Sequence, residues 1–367
     1  MISENESIPR IKVLILLRSL DQMAGGVERS AIQLANRLQT NGCEVILLSL
    51  DTMDSCAFYE IDPEVNWIKL GETSPKVTAS FSEKIRRLDR LRKVVKATKA
   101  EVIVSFQGGA TRQAIISTFL TKCDVIAAER ESLTKYSKNI AGNSKKYKHF
   151  VWLIFVSRIQ VFFDSNKAMY PFFLKRKIRV IPNFFTEELS YGRDASKPRS
   201  SYYLFVGRFE GPKNPEIFLN ALKLSGRNGI MIGAGSLEVE IQNQVITTDL
   251  VQILPPNSNI YDFISRAKAI VNVSDWEGFP NVVLEALVLG TPVIGFSETS
   301  GVSNLITHLK NGFLCEGKPN SEVLAKLFTE FDFNLIKSEE IIKTSKNYHE
   351  SFVLPIWINT FLELQNK

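Results

Sequence analysis

Short apolar runs alternate with longer stretches of helical period along the whole of this 367-residue chain. The first run, Ile11-Lys12-Val13-Leu14-Ile15-Leu16-Leu17, has almost no polar break, the pattern of a strand covered on both faces. A loop ending in Gly25-Gly26 follows, then a helix from Val27 to about Gln39 with Ile32, Leu34, Ala35 and Leu38 on its inner side. Asn41-Gly42 stops that helix, and Glu44–Ser49 returns as the next strand. Further strands are expected at 102–106, 125–128, 159–163 and 178–181, and again at 203–206, 229–232, 251–254, 269–273 and 292–295. A helix over Val282–Leu289 is closed by Gly290-Thr291-Pro292.

Such alternation predicts an α/β fold of two Rossmann-like, doubly wound parallel-sheet lobes facing a central cleft. The lobes are expected at 1–190 and 200–350. The polar stretch Thr186–Ser201 between them, poor in apolar periodicity, reads as the linker. A ligand in this architecture lies at strand carboxyl ends.

Composition adds one asymmetry. Apolar content of 44% and charged content of 23% are ordinary for a soluble globular protein. The net charge of +6, however, divides into 32 Lys and Arg against 21 Asp and Glu in residues 1–200, and 13 against 18 in residues 201–367. The basic half should prefer an anionic surface: phospholipid, a phosphorylated acceptor or nucleic acid. The segment Lys84–Lys96 reads as a basic amphipathic helix whose stripe (Ile85, Leu88, Leu91, Val94, Val95) packs on the sheet while its cations face outward. Lys135, Lys138, Lys145, Lys146 and Lys148 extend that surface. The apolar stretch from Phe150 to Phe163 falls short of the roughly 20 residues that span a bilayer, and reads as a buried helix end running into a buried strand. Four scattered cysteines and a polar start, Met1 to Ser7, favour a reducing cytosol over secretion.

The chemistry concentrates downstream. Glu277 stands where the strand 269–273 ends, Glu285 lies one turn inside the next helix, and Gly278, Phe279, Pro280, Asn281 and Val282 form the turn between them. Unpaired N–H groups at such a turn can hold a phosphate, and the ionised carboxylates accept hydrogen bonds from sugar and ribose hydroxyls. Upstream, Gly207-Arg208 follows a strand and Lys213 lies across a Gly-Pro turn, so two cations can meet a diphosphate. Solvated surface charges are the plainer account of each charged residue taken alone. Gly233-Ala234-Gly235 either lines the same pocket or forms an ordinary turn. The pair Gly25-Gly26 offers either a close approach to a ligand or a tight loop at positive φ. No G-x-G-x-x-G stands there, against a dinucleotide fold.

Several segments together resemble the family 4 retaining glycosyltransferases of GT-B fold, of the bacterial surface-polysaccharide type. They are Gly25-Gly26-Val27-Glu28-Arg29 with Leu34–Leu38, Val180-Ile181-Pro182-Asn183, Val206-Gly207-Arg208 with Lys213-Asn214, and Glu277-Gly278-Phe279-Pro280-Asn281 through Glu285-Ala286. Asn311-Gly312-Phe313-Leu314 looks like the family's late turn. The Glu-x7-Glu spacing is the most specific part.

The resemblance implies a metal-independent enzyme without cofactor, moving a sugar from a nucleotide-diphosphate sugar, UDP-sugar favoured, to a lipid-linked glycan acceptor. In that scheme Arg208 and Lys213 bind the diphosphate, Glu277 bonds the donor sugar, and Glu285 holds the ribose. Gly25, Gly26 and Gly207 line the donor phosphates, and the segment 351–367 packs back on the first lobe. A histidine that many relatives carry after a first-lobe strand has no counterpart here: the position reads Ala127-Ala128-Glu129-Arg130-Glu131-Ser132, and none of His149, His308 and His349 fits it by sequence. Glu129 and Arg130 are therefore acceptor-side candidates, or else an internal ion pair. The expected location is cytoplasmic, peripheral on the inner face of the membrane, without nucleic acid. A nucleotide-sugar epimerase on the same fold and a basic nucleic-acid-binding protein are the alternatives.

Overall fold

The computed structural model describes residues 10–71, 80–130, 132–133, 140–190, 199–246, 248–256 and 259–366. The chain divides into two compact units, Met1–Pro182 with Leu354–Lys367, and Asn183–Val353. Residues 191–198 of the expected linker lie outside the described residues, as do Met1 to Ser7, Glu131, Lys135 and Lys138; Glu187–Ser190 forms a short helix.

In the first unit the strands are β1 (Lys12–Leu16), β2 (Glu44–Ser49), β3 (Asn66–Lys69), β4 (Val102–Phe106), β5 (Asp124–Ala128), β6 (Arg158–Val161) and β7 (Ile178–Val180). They form one sheet in the order β3-β2-β1-β4-β5-β6-β7, every pair parallel. Leu14 stands opposite Ile46 on one side and Ile103 on the other. Helices Phe81–Thr98, Gly108–Thr118, Ile140–Leu153 and Phe172–Lys175 bring Leu91, Val95, Ala114, Phe150, Leu153 and Leu174 into one core with Leu14, Ile103, Ala127 and Ile159. Burial on both faces explains why β1 and β4 are nearly all apolar. The final helix, Glu350–Gln365, gives this unit the buried Trp357 and Phe361. Its Glu363 accepts from Arg158 at 3.2 Å and Arg179 at 2.6 Å.

Four readings of this unit need correction. Ile85 is 52% exposed, so the stripe on helix Phe81–Thr98 packs only from its middle onward, through Leu91 and Val95. The apolar stretch after Phe150 is not uniformly buried: Val151, Ile154 and Phe155 face outward while Phe150, Leu153 and Val156 face in. β3 went unread because it is a half-exposed edge strand with one neighbour. Gly25 sits at φ −89, so no positive φ requires it; a Cβ there would meet the folded-back Glu28 carboxylate at 2.0 Å.

The second unit repeats the plan. Its strands β8 (Tyr203–Val206), β9 (Gly229–Ile232), β10 (Val251–Leu254), β11 (Ala269–Val271), β12 (Val293–Phe296) and β13 (Gly312–Cys315) form a parallel sheet ordered β10-β9-β8-β11-β12-β13. The segment expected as a late turn is thus an edge strand from Gly312, paired with β12, and only Leu309 to Asn311 turn. In each sheet the chain reverses its direction of advance beside the first strand, between β1 and β4 and between β8 and β11. Parallel α/β sheets bind ligands at the carboxyl ends of strands at such a reversal.

Candidate active site

In the second unit, two loops leave the sheet at that reversal. After β8 the chain runs through Gly207-Arg208-Phe209 into a single 3-10 turn, Gly211–Lys213, and then the helix Pro215–Ser225. Asn214 joins them in the left-handed region, at φ 47. Its side-chain amide donates to the Val273 carbonyl and to Asp275, both at 2.9 Å, and Asp275 N–H returns to the Pro212 carbonyl at 3.0 Å. The β8 turn is thereby fastened to the loop that follows β11.

This fastening sets Lys213 against Glu277. The ammonium lies 2.6 Å from Glu277 Oε1, which also accepts from Ser274 Oγ at 2.7 Å and Asn272 Nδ2 at 3.3 Å. The Lys213 side chain is 25% exposed and that of Glu277 12%. Burial pushes the Glu277 carboxyl up, but the Lys213 charge and the hydrogen bonds outweigh it and hold the carboxyl below the usual carboxylate range. Glu277 is therefore an ionised acceptor at neutral pH. It is not a loop carboxylate in open solvent.

Other backbone holds the same place. Thr299 Oγ1 donates to the Ser274 carbonyl at 2.6 Å. A Cβ on Gly301 would stand 2.8 Å from the Glu277 carbonyl oxygen and 2.9 Å from that of Gly278. Only glycine lets the turn Ser300–Ser303 approach so closely. Gly233 and Gly235 serve similarly: added Cβ atoms would meet the Gly207 and Phe209 carbonyls at 1.9 and 2.4 Å. Close packing of two strand ends thus accounts for both glycines.

Pro280 caps the helix Asn281–Val288. Asn281 accepts from Asn183 at 2.7 Å, and the buried Phe279 ring lies 5.9 Å from Tyr348, edge to face. Glu285 is only 5% exposed, so it is no solvated helix position. Arg208 stands apart from the Lys213–Glu277 pair: it is 68% exposed and its Nη1 bonds Glu210 at 3.1 Å.

In the first unit Glu129, just beyond β5, meets a partner that sequence order concealed. His149, from the helix Ile140–Leu153, places Nε2 2.8 Å from the Glu129 carboxylate, and Tyr170 OH lies 3.4 Å away. Glu129 and His149 are 10% and 15% exposed. A histidine does stand beside the acceptor-side candidate, delivered by a later helix. Arg130 turns inward, its guanidinium 3.9 Å over Phe106 and 5.2 Å from Phe162. Burial pulls it down to about 9 while Glu129 opposes, so it remains a cation at neutral pH. Glu129 thus has His149 as a close partner, while Arg130 lies against aromatic faces and also feels the Glu129 charge.

Ser274, Asn272, Thr299 and Gly301 were not read as site residues. A polar triplet at a strand end (Asn272, Ser274, Asp275) is a signal that was available; Gly301 carries none outside three dimensions. Among the described residues no group of three His, Cys, Asp or Glu side chains is placed to hold a metal ion, and no helix is long and apolar enough to cross a membrane.

Two parallel α/β sheets, each reversing beside its first strand, are the architecture of the GT-B fold. Residues 192–348 match the family described as Glycosyl transferases group 1. The match falls inside the second unit, so the chain carries a glycosyltransferase domain of that kind. It is similar to the Campylobacter jejuni GalNAc-alpha-(1->4)-GalNAc-alpha-(1->3)-diNAcBac-PP-undecaprenol alpha-1,4-N-acetyl-D-galactosaminyltransferase, 25% identical with 97% of this chain and 99% of the relative covered. Among solved structures it shares its fold with sucrose-phosphate synthase from Thermosynechococcus elongatus (TM-score 0.80, 16% identity, 97% and 100% covered). Anabaena Alr3699/HepE in complex with UDP and glucose is a second such structure (TM-score 0.74, 15% identity, 97% and 100% covered).

Proposed function

We propose that this glycosyltransferase moves a sugar from a nucleotide-diphosphate sugar, UDP-sugar foremost, to a lipid-linked glycan during synthesis of a surface polysaccharide or oligosaccharide. The observation that carries the reading is the Lys213–Glu277 pair at the carboxyl edge of the second sheet. The named Campylobacter relative acts on an undecaprenol-linked glycan, and Alr3699/HepE is held with UDP, which supports the acceptor and donor classes.

In this reading Glu277 accepts hydrogen bonds from hydroxyls of the donor sugar, and Glu285 from those of the ribose. Lys213 and Arg208 neutralise the diphosphate as the bond to the anomeric carbon breaks, the step at which negative charge grows on the leaving group. The N–H groups of Phe279, Asn281 and Val282, at the start of the helix Asn281–Val288, serve the same charge. Gly207, Gly278, Pro280 and Asn281 shape the donor pocket, and Gly25 and Gly26 are further donor-binding residues. Transfer proceeds with retention, without metal or cofactor. Glu129 faces the acceptor, and the enzyme works in the cytoplasm at the inner face of the membrane, without nucleic acid.

The deciding experiment combines UDP-, GDP- and ADP-sugars with lipid-linked acceptors and measures nucleoside diphosphate release. Wild type should release one diphosphate with an acceptor-dependent rate, and E277A should not. Release by no donor–acceptor pair, with E277A indistinguishable from wild type, sinks the reading. Conversion of the donor without any acceptor would favour the epimerase instead.

A further inference from the structure

We infer that Asn183 and Tyr348 are positioning residues for the turn that opens helix Asn281–Val288. They hold it from the two segments by which the chain enters and leaves the second unit. The inference rests on the reading of that turn as the phosphate-binding part of the donor site.

The turn needs a hold from outside. Its N-cap is Pro280, which has no side-chain acceptor for the first N–H groups of the helix. A serine or aspartate there would fix the helix start and occupy those groups in the same bond. Here the start is fixed from the side instead. The Asn183 amide donates to Asn281 Oδ1 at 2.7 Å, across 98 residues of chain. Before the proline, the buried Phe279 meets the Tyr348 ring edge to face, with centroids 5.9 Å apart. Both contacts use side chains of the turn and consume none of its backbone donors. A polar bond at Asn281 and an aromatic contact at Phe279 thus bracket Pro280 and set the direction of the helix start.

The two holding residues are themselves anchored. Asn183 is the first residue of the second unit, and Tyr348 stands five residues before its last, Val353. Their segments are bonded to each other: Phe185 N–H donates to the Tyr348 carbonyl and Glu350 N–H to the Phe185 carbonyl, both at 3.0 Å. His349 Nε2 lies 2.8 Å from Glu187, and the buried Phe185 ring meets the imidazole at 5.2 Å. The short helix Glu187–Ser190 and the helix Ser338–Ser345 both lie against helix Asn281–Val288. A ligand that fixes the turn therefore also fixes the segments through which the chain enters and leaves the unit.

The test combines hydrogen exchange with nucleotide binding in the whole purified protein. Without ligand, N183A should exchange the amides of Val283 and Leu284 about tenfold faster than wild type, with helix Pro215–Ser225 unchanged. With UDP as the probe, calorimetry should show N183A binding about fivefold to tenfold more weakly, the scale of one hydrogen bond. N281A should lose a similar amount, and N183A/N281A no more than N281A alone, since Asn183 acts through Asn281. Y348A should also weaken UDP binding and Y348F restore it, because the ring and not the hydroxyl meets Phe279. UDP should in turn slow exchange at the amides of Phe185 and Glu350. Losses that add in the double variant, wild-type UDP binding by N183A, or unchanged exchange in ligand-free N183A would each overturn the inference and leave the donor reading standing. A wild type that binds none of UDP, GDP and ADP would sink the donor reading, and this inference with it.

Discussion

Lys213 and Glu277, 64 residues apart in sequence, meet at 2.6 Å because Asn214 ties the turn after β8 to the loop after β11. The pair is mostly buried, and each member leaves the other an uncompensated charge if it is removed. Glu277→Gln keeps the shape of the side chain and removes that charge. We expect kcat/KM for sugar transfer to fall by about 10²–10³, the scale of losing one preorganised group around a developing charge. The check is nucleoside diphosphate release at several donor concentrations, beside a melting curve showing that the variant is folded.

Acid should expose the same pair. The folded Glu277 carboxyl is held below its ordinary value of 4.5, so its contribution to stability is fully present above that unfolded-state value. It is lost as pH falls through the lower folded value. The gap in melting temperature between wild type and E277Q should therefore be constant near neutrality and close progressively below about pH 4.5. A gap that widens in acid would contradict the assignment of charge.

Arg208 supplies a contrast, since its partner Glu210 and its own side chain are exposed. Exposed pairs contribute little, so Arg208→Ala should change stability by less than about 1 kcal/mol. If it meets the donor diphosphate, KM for the donor should rise about tenfold or more. Calorimetry and donor titration read the two effects separately.

Gly301→Ala forces a Cβ to within 2.8 Å of the Glu277 carbonyl oxygen. The turn carrying Glu277 must shift or the turn Ser300–Ser303 must open, at a cost of about 1–3 kcal/mol. If Glu277 bonds the donor sugar, activity should fall well beyond what that loss of stability explains, because its carboxylate is displaced. Activity measured far below the melting temperature makes the distinction.

His149→Ala leaves the largely buried Glu129 carboxylate without its imidazole at 2.8 Å. A loss of about 1–3 kcal/mol is expected, and Glu129→Gln in the same chain should recover part of it. Denaturant unfolding of the two single variants and the double variant gives the coupling directly.

The strands of both sheet centres were legible because continuous apolar runs flanked by turn residues permit little else. β4, β8, β9 and β10 carry the limits expected for them. Of the four edge strands, β3 and β13 were not legible, because Asn66–Lys69 is half polar and Gly312–Cys315 opens on a glycine. At the site, Lys213 and Glu277 each stood out, yet their pairing did not, since sequence assigned them to opposite ends of a ligand. His149 was dismissed because chain order puts it 20 residues beyond Glu129; helix packing on the sheet closes that separation. Gly301 shows the same limit: the backbone atoms that require a glycine there belong to another part of the fold.

The first unit is assembled from two separated pieces of chain, Met1–Pro182 and Leu354–Lys367. During synthesis the 171 residues of Asn183–Val353 leave the ribosome between them. Trp357, Phe361 and the carboxylate of Glu363 that Arg158 and Arg179 await are translated only after those 171 residues. The nascent amino-terminal portion must therefore persist with part of its hydrophobic cover missing while the carboxyl-terminal unit, complete in one run, closes ahead of it.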